Sequence, residues 1–102
     1  MDRSEILKLI KVVSEKDEYG MSEMTETTRE VYVNVKSISS SEFFQANQTG
    51  LQPQYQFTLF APDYDGETVV EYRGEKYKEY RTYHRKNDLM ELYVEKVAAD
   101  GD

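Results

Sequence analysis

The sequence predicts a mostly β fold, a small antiparallel barrel or sandwich of about six strands with a long internal loop containing a short helix. Several segments alternate apolar and polar side chains with a period of two, as half-buried strands do. Turn-forming residues separate these segments at short intervals. Apolar content is only 38%, but nine tyrosines and four phenylalanines supply large buried areas. A closed sheet is favoured because closure removes exposed strand edges.

The chain length of 102 residues predicts one domain over residues 1–102. Within it we expect an acidic loop at about 14–28, a functional loop at about 39–54 and a frayed tail at 98–102.

The first third of the chain contains two predicted strands. In ILKLIKVV, at 6–13, the apolar spacing also fits a helix, but the β-branched residues and short length favour a strand. Residues 14–27 show no apolar period and carry Gly20 and five acidic residues, which predicts a mobile acidic loop. The clearest strand is 29–37, in which Val31, Val33 and Val35 share one face.

A short helix is predicted after this strand. Ser39 stands three residues before Glu42, as a capping box requires, and Gly50 is placed to end the helical segment. This helix would carry Phe43 and Phe44.

Four further strands follow. The alternation of Tyr55, Phe57, Leu59 and Ala61 predicts one; residues 67–72, 75–85 and 89–97 predict the others. Arg73-Gly74 and Asn87-Asp88 are predicted turns. Tyrosines spaced by three in 75–85 break the period of two, so we expect a β-bulge near Lys78-Glu79, with a helix as the less favoured alternative.

Composition excludes several classes of function. With 13 Lys and Arg against 20 Asp and Glu, the net charge is -7, which argues against nucleic-acid binding and against anionic membrane surfaces. The absence of cysteine excludes disulfides, thiolate metal sites and a thiol nucleophile. We therefore predict no cofactor.

No catalytic or metal site is predicted. Asp63, Asp65 and Glu67 resemble a fragment of a calcium loop, but the pattern stops after five residues, so an acidic turn is the better interpretation. The single histidine, His84, has no cysteine or second histidine with which to form a metal site. We expect a protein that is not an enzyme.

The strongest functional signal is an uncharged, aromatic segment. Phe43 and Phe44 are adjacent, so one narrow face cannot bury both, and amide side chains around them suit a protein interface. The alternative is that both rings pack within the loop's own core. The predicted interface consists of Ser41, Glu42, Phe43, Phe44, Gln45, Asn47, Gln48, Leu51 and Gln52. Arg81, Arg85 and Lys86 form a possible partner-facing basic cluster. At the net charge of -7, ion pairs with acids of the protein itself or of a partner are favoured over contact with nucleic acid.

Markers in order along the chain carry a resemblance to a known family. They are V-x-V-K-S at 33–37, S-E-F-F-Q-A at 41–46, G-L-x-P at 50–53, Asp63-Tyr64 with Gly66-Glu67, Tyr77 with Tyr80-Arg81-Thr82-Tyr83, and Glu91-Leu92-Tyr93. From about Val31 to Lys96, the chain resembles the head-closure, or head–tail joining, proteins of tailed bacteriophages and prophages. Serines at 39–41 stand where a basic residue would be expected in that family.

The resemblance implies a virion structural protein. Such a protein assembles in the bacterial cytoplasm and binds beneath the portal as a ring of about a dozen copies. It seals the DNA-filled head, provides the tail attachment surface and acts at the head–tail interface of the virion. Its partners would be portal or adaptor ring proteins and a tail-completion protein. It would be a monomer when free, with at most passive contact with packaged DNA and no membrane contact.

By position, the family's assembly loop matches Ser39 to Gln54. Two alternatives stay open: an acidic inhibitor or immunity-type module that binds a basic partner, and a small metal-dependent enzyme using Asp63, Asp65 and Glu67.

Overall fold

The computed structural model describes residues 5–97, and the predicted fold class is confirmed: the protein is a closed six-stranded antiparallel barrel with one short helix. The strands are β1 (Glu5–Lys16), β2 (Ser22–Ser37), β3 (Pro53–Phe60), β4 (Val69–Tyr72), β5 (Glu75–His84) and β6 (Leu89–Lys96). The helix α1 spans Ser40–Asn47, and a 3-10 turn at Ala61–Asp63 follows β3. Around the barrel the order is β1-β2-β3-β6-β5-β4, and β4 closes onto β1.

Alternating residues of all six strands fill the barrel. The buried cluster comprises Leu7, Leu9, Val31, Val33, Phe57, Leu59, Val70, Tyr72, Tyr77, Met90, Leu92 and Val94. The half-buried Tyr55 packs edge-on against Tyr72 and Tyr77, with ring centroids 5.3 and 5.5 Å away. The faces predicted for β2 and β3 agree with this core, although Val35, Tyr55 and Ala61 are only partly buried.

The strand pairings around the barrel are unequal. β1 and β2 pair over twelve residues each, from Glu5 opposite Val33 to Lys16 opposite Ser22. β2 and β3 pair only from Asn34 to Ser37, and β1 meets β4 only from Lys8 to Ile10. The barrel therefore has two short seams, one on each side of the β1–β2 hairpin.

The predicted acidic loop at about 14–28 is wrong in its secondary structure. β1 continues to Lys16 and β2 begins at Ser22, so only a tight turn separates them. In that turn the Asp17 carboxylate accepts hydrogen bonds from the amides of Tyr19 and Met21, both at 2.9 Å. β1 and β2 extend beyond the barrel here as a two-stranded ribbon in which every side chain from 14 to 30 is exposed. Because neither face of the ribbon is buried, its sequence shows no apolar period.

The predicted turns and bulge are present. Arg73 and Gly74 both have positive φ, 51° and 82°, as do Asn87 and Asp88, 62° and 58°. The β5–β6 register shifts between Glu79 and Arg81, which places the bulge beside its predicted position.

Strand boundaries differ slightly from those predicted. β4 begins at Val69 instead of residue 67, because Glu67 turns inward to meet Arg29. Ala61 opens the 3-10 turn rather than ending β3. The predicted frayed tail at 98–102 lies outside the described residues. Within residues 5–97, no helix has the length and apolar character needed to cross a bilayer.

Candidate functional site

The segment after β2 forms the predicted helix with the predicted N-cap. The Ser39 hydroxyl accepts a hydrogen bond from the Glu42 amide at 3.2 Å. The helical segment ends at Gly50, whose φ of 88° lets the Leu51 amide reach back to the Ala46 carbonyl at 3.2 Å. The sequence therefore fixes both ends of the helix by local hydrogen bonds.

The Glu42 side chain has a different role from the capping box that the sequence predicts. It leans onto the outer face of β5, where Oε1 lies 2.6 Å from the Arg81 guanidinium and Oε2 accepts a 2.9 Å hydrogen bond from the Tyr80 hydroxyl. The guanidinium carbon of Arg81 lies 3.9 Å from the centroid of the Tyr93 ring on β6. These four residues, Glu42, Tyr80, Arg81 and Tyr93, form a clamp that joins α1 to the barrel.

The electrostatics of the clamp strengthen each contact. Burial and then the hydrogen bond to Glu42 raise the pKa of the Tyr80 hydroxyl, which stays protonated as a donor. The hydrogen bond to Glu42 raises the pKa of the Arg81 guanidinium. Burial, together with a hydrogen bond to Glu91, raises the pKa of Tyr93 to about 12. Near neutral pH the Arg81 guanidinium therefore stays charged and the hydroxyls of Tyr80 and Tyr93 stay protonated.

With α1 held in this way, its two phenylalanines face outward. Phe43 is 46% exposed and Phe44 is 66% exposed, whereas Ala46, which lies across the helix from Phe44, is buried. The alternative in which both rings pack inside the loop's own core is therefore not what the structure shows. Exposed apolar rings on a surface otherwise made of Gln, Asn and Ser provide an uncharged patch on an acidic protein.

The remaining predicted interface residues surround this patch or support it. Ser41, Gln45 and Gln48 are exposed. The Asn47 amide group donates to the Leu51 carbonyl at 3.2 Å, and the Gln52 backbone amide reaches the Glu95 carboxylate at 3.3 Å. Leu51 is half-buried. Phe43 and Phe44 are the largest exposed apolar side chains of the segment 41–52.

The predicted basic cluster is divided by internal ion pairs. Arg81 pairs with Glu42, and an Arg85 guanidinium nitrogen lies 3.5 Å from Glu91. Lys86 is exposed in the turn between β5 and β6. Two of the three cations therefore contact the protein's own acids.

The acidic turn at 63–67 holds β2 in place. Glu67 is 2% exposed. Its carboxylate accepts hydrogen bonds from the Arg29 guanidinium at 2.6 Å and from the Asp65 amide at 2.7 Å. Arg29 also donates to the Asp63 carbonyl at 2.7 Å. Burial opposes ionisation of Glu67, but the hydrogen bonds from Arg29 and from backbone amides outweigh it and lower the pKa of the carboxyl.

The three acids of this turn do not form a ligand set. Asp65 pairs with Lys11 at 3.0 Å instead of turning toward Glu67. Within the part of the chain that the structure describes, no group of three His, Asp or Glu side chains is arranged to hold a metal ion.

Tyr80 and Tyr93 are clamp residues that the predicted interface did not include. Tyr80 contacts Glu42 from 38 positions away, and periodicity cannot show such a contact. The available signal was the tyrosine spacing in β5, because a bulge at Tyr80 turns that ring out of the strand's alternation.

A scan against protein-family models finds no match for this chain, and a search of curated proteins finds none either.

Proposed function

We propose that this protein is a phage or prophage head-completion protein. It would bind beneath the portal as a ring of about a dozen copies, seal the filled head and offer the tail its attachment surface. The observation that carries the proposal is the pair of exposed rings, Phe43 and Phe44, on a helix clamped to a closed barrel. Because its strands pair with one another, a closed barrel can present such a patch while it stays folded.

The chemistry of the patch suits packing between subunits. Interface centres are depleted in charge and enriched in aromatic residues. Here the net charge of -7 would oppose the approach of like copies, and the uncharged segment is where that repulsion is weakest. An acidic subunit around a DNA channel would also reduce adhesion to the passing duplex.

The test is reconstitution with the portal and adaptor proteins encoded in the same genome. After co-expression, we expect negative-stain images and light scattering to show the chain as a ring on the portal assembly, and as a monomer when expressed alone. Replacement of both rings, F43S/F44S, should abolish ring assembly while the far-ultraviolet circular dichroism stays unchanged.

The matched control removes two other exposed aromatic side chains. Tyr19 is 82% exposed at the ribbon turn and Tyr83 is 54% exposed on β5, so Y19S/Y83S takes away comparable apolar surface elsewhere. Assembly should survive in this variant. Equal assembly of wild type and F43S/F44S, or no ring with any portal-type partner, would refute the proposal.

An acidic inhibitor or immunity-type module is the second candidate. The ribbon favours it, since Glu15, Asp17, Glu18, Glu23 and Glu26 project beyond the barrel. The two candidates are separated by pull-downs from uninfected host lysate and from phage-producing lysate. Recovery of portal or tail proteins only from the second supports head completion, and recovery of one basic host protein from both supports inhibition.

A further inference from the structure

The outer edge of β2 is an unpaired strand edge. β2 meets β3 only from Asn34 onward, so the stretch from Ser22 to Val33 has β1 as its single strand neighbour among residues 5–97. Backbone amides and carbonyls that point away from β1 along this stretch have no ladder partner there. A row of such groups is a template for strand addition.

A groove lies where β2 separates from β3. It encloses about 440 Å³, and its walls include Tyr32 on one side and Phe60 with Asp63 on the other. Tyr32 is 62% exposed. The contacts of Arg29 with Glu67 and the Asp63 carbonyl hold the two sides at a fixed separation. An added strand would enter this groove at one end and follow β2 toward the ribbon turn.

The charges along this edge of β2 indicate what kind of segment could bind there. Glu23, Glu26 and Glu30 lie on this stretch, and its one cation, Arg29, is neutralised by Glu67. Glu23 stands directly opposite Glu15 in the hairpin, a like-charge pair that destabilises the ribbon until a cation approaches. A second copy of the chain would bring the same acids against these, so self-pairing of this edge is disfavoured.

We propose that the β2 edge from Ser22 to Val33 binds a cationic, extended segment of another protein by strand addition. Lysine or arginine side chains of that segment would face Glu26 and Glu30, which lie on one face of the ribbon, and one end of the segment would enter the groove between Tyr32 and Phe60. This surface is separate from the α1 patch, and the inference does not depend on head completion.

The test uses the full chain, labelled for amide detection by nuclear magnetic resonance, and a short peptide of alternating lysine and valine. On titration we expect slowed hydrogen exchange at alternate amides of 22–33, with α1 amides unaffected, and an affinity that falls as salt is added. Two control peptides separate the causes of binding: the same sequence with alternate amides N-methylated, and one with glutamate replacing lysine.

Protein variants provide a second, independent measurement. E26Q/E30Q should weaken peptide binding by about three- to tenfold, as loss of two exposed ionic contacts implies. E18Q/D88N removes the same net charge from the two turns and should leave binding nearly unchanged. The proposal is overturned if the N-methylated peptide binds as well as the parent, if no amide of 22–33 gains protection, or if both variants weaken binding equally.

Discussion

At the scale of single residues, the buried carboxylate of Glu67 is the contact with the largest expected effect. It is 2% exposed and ties β2 to the turn before β4 through Arg29. E67Q should lower the free energy of unfolding by about 2 kcal/mol, since a hydrogen bond to a charged group is lost in a buried place. E71Q removes the half-buried carboxylate that lies 3.7 Å from the Lys8 ammonium and should cost less than about 1 kcal/mol.

The same residue sets a pH dependence of stability. Because the folded pKa of Glu67 lies below its unfolded value, its contribution is complete above the unfolded pKa of about 4.3 and is lost as pH falls through the folded pKa. Thermal melts should therefore show a steeper acid limb in the wild type than in E67Q. Parallel acid limbs in the two proteins would contradict this assignment.

At the scale of elements, helix α1 depends on its N-cap. S39A removes the hydroxyl that accepts the hydrogen bond from the Glu42 amide, and the loss should destabilise the helix by about 1 kcal/mol. Hydrogen exchange of the α1 amides should then be roughly fivefold faster. The control S40A removes the neighbouring serine hydroxyl but leaves the N-cap in place. Its α1 amides should exchange no faster than those of the wild type, since alanine favours the helix. Unchanged exchange in S39A would mean that the clamp alone holds the helix.

Elements whose signals are local could be predicted from the sequence. The alternation in β3 and β6, the Ser39 cap and the Arg73-Gly74 turn are each encoded within a few residues, and each is present. The ribbon was missed because two strands that pack on nothing need no apolar face. The candidate site was predicted as a segment, but its clamp was not, because Glu42 finds Arg81 only when β5 and β6 lie beneath it.

At the scale of the whole molecule, the ribbon should be separable from the barrel. Side chains from 14 to 30 are exposed, and the core begins at Leu9 and Val31. Replacing 14–24 by Asn-Gly, so that Val13 and Thr25 flank the new turn, should change the unfolding free energy by no more than about 1 kcal/mol. Urea denaturation measures this, and a loss of several kcal/mol would show that the ribbon supports the core.

The short seam between β1 and β4 has a further consequence for the shell. Only three residue pairs form the strand pairing at that point, Lys8 to Ile10 with Val69 to Glu71, whereas β1 and β2 share twelve. Because this is the shorter of the two short seams, β1 should separate from β4 first under mechanical load or mild heating. The result would be a curved, open sheet of six strands whose other five pairings are intact, so that closing it again needs no new strand order.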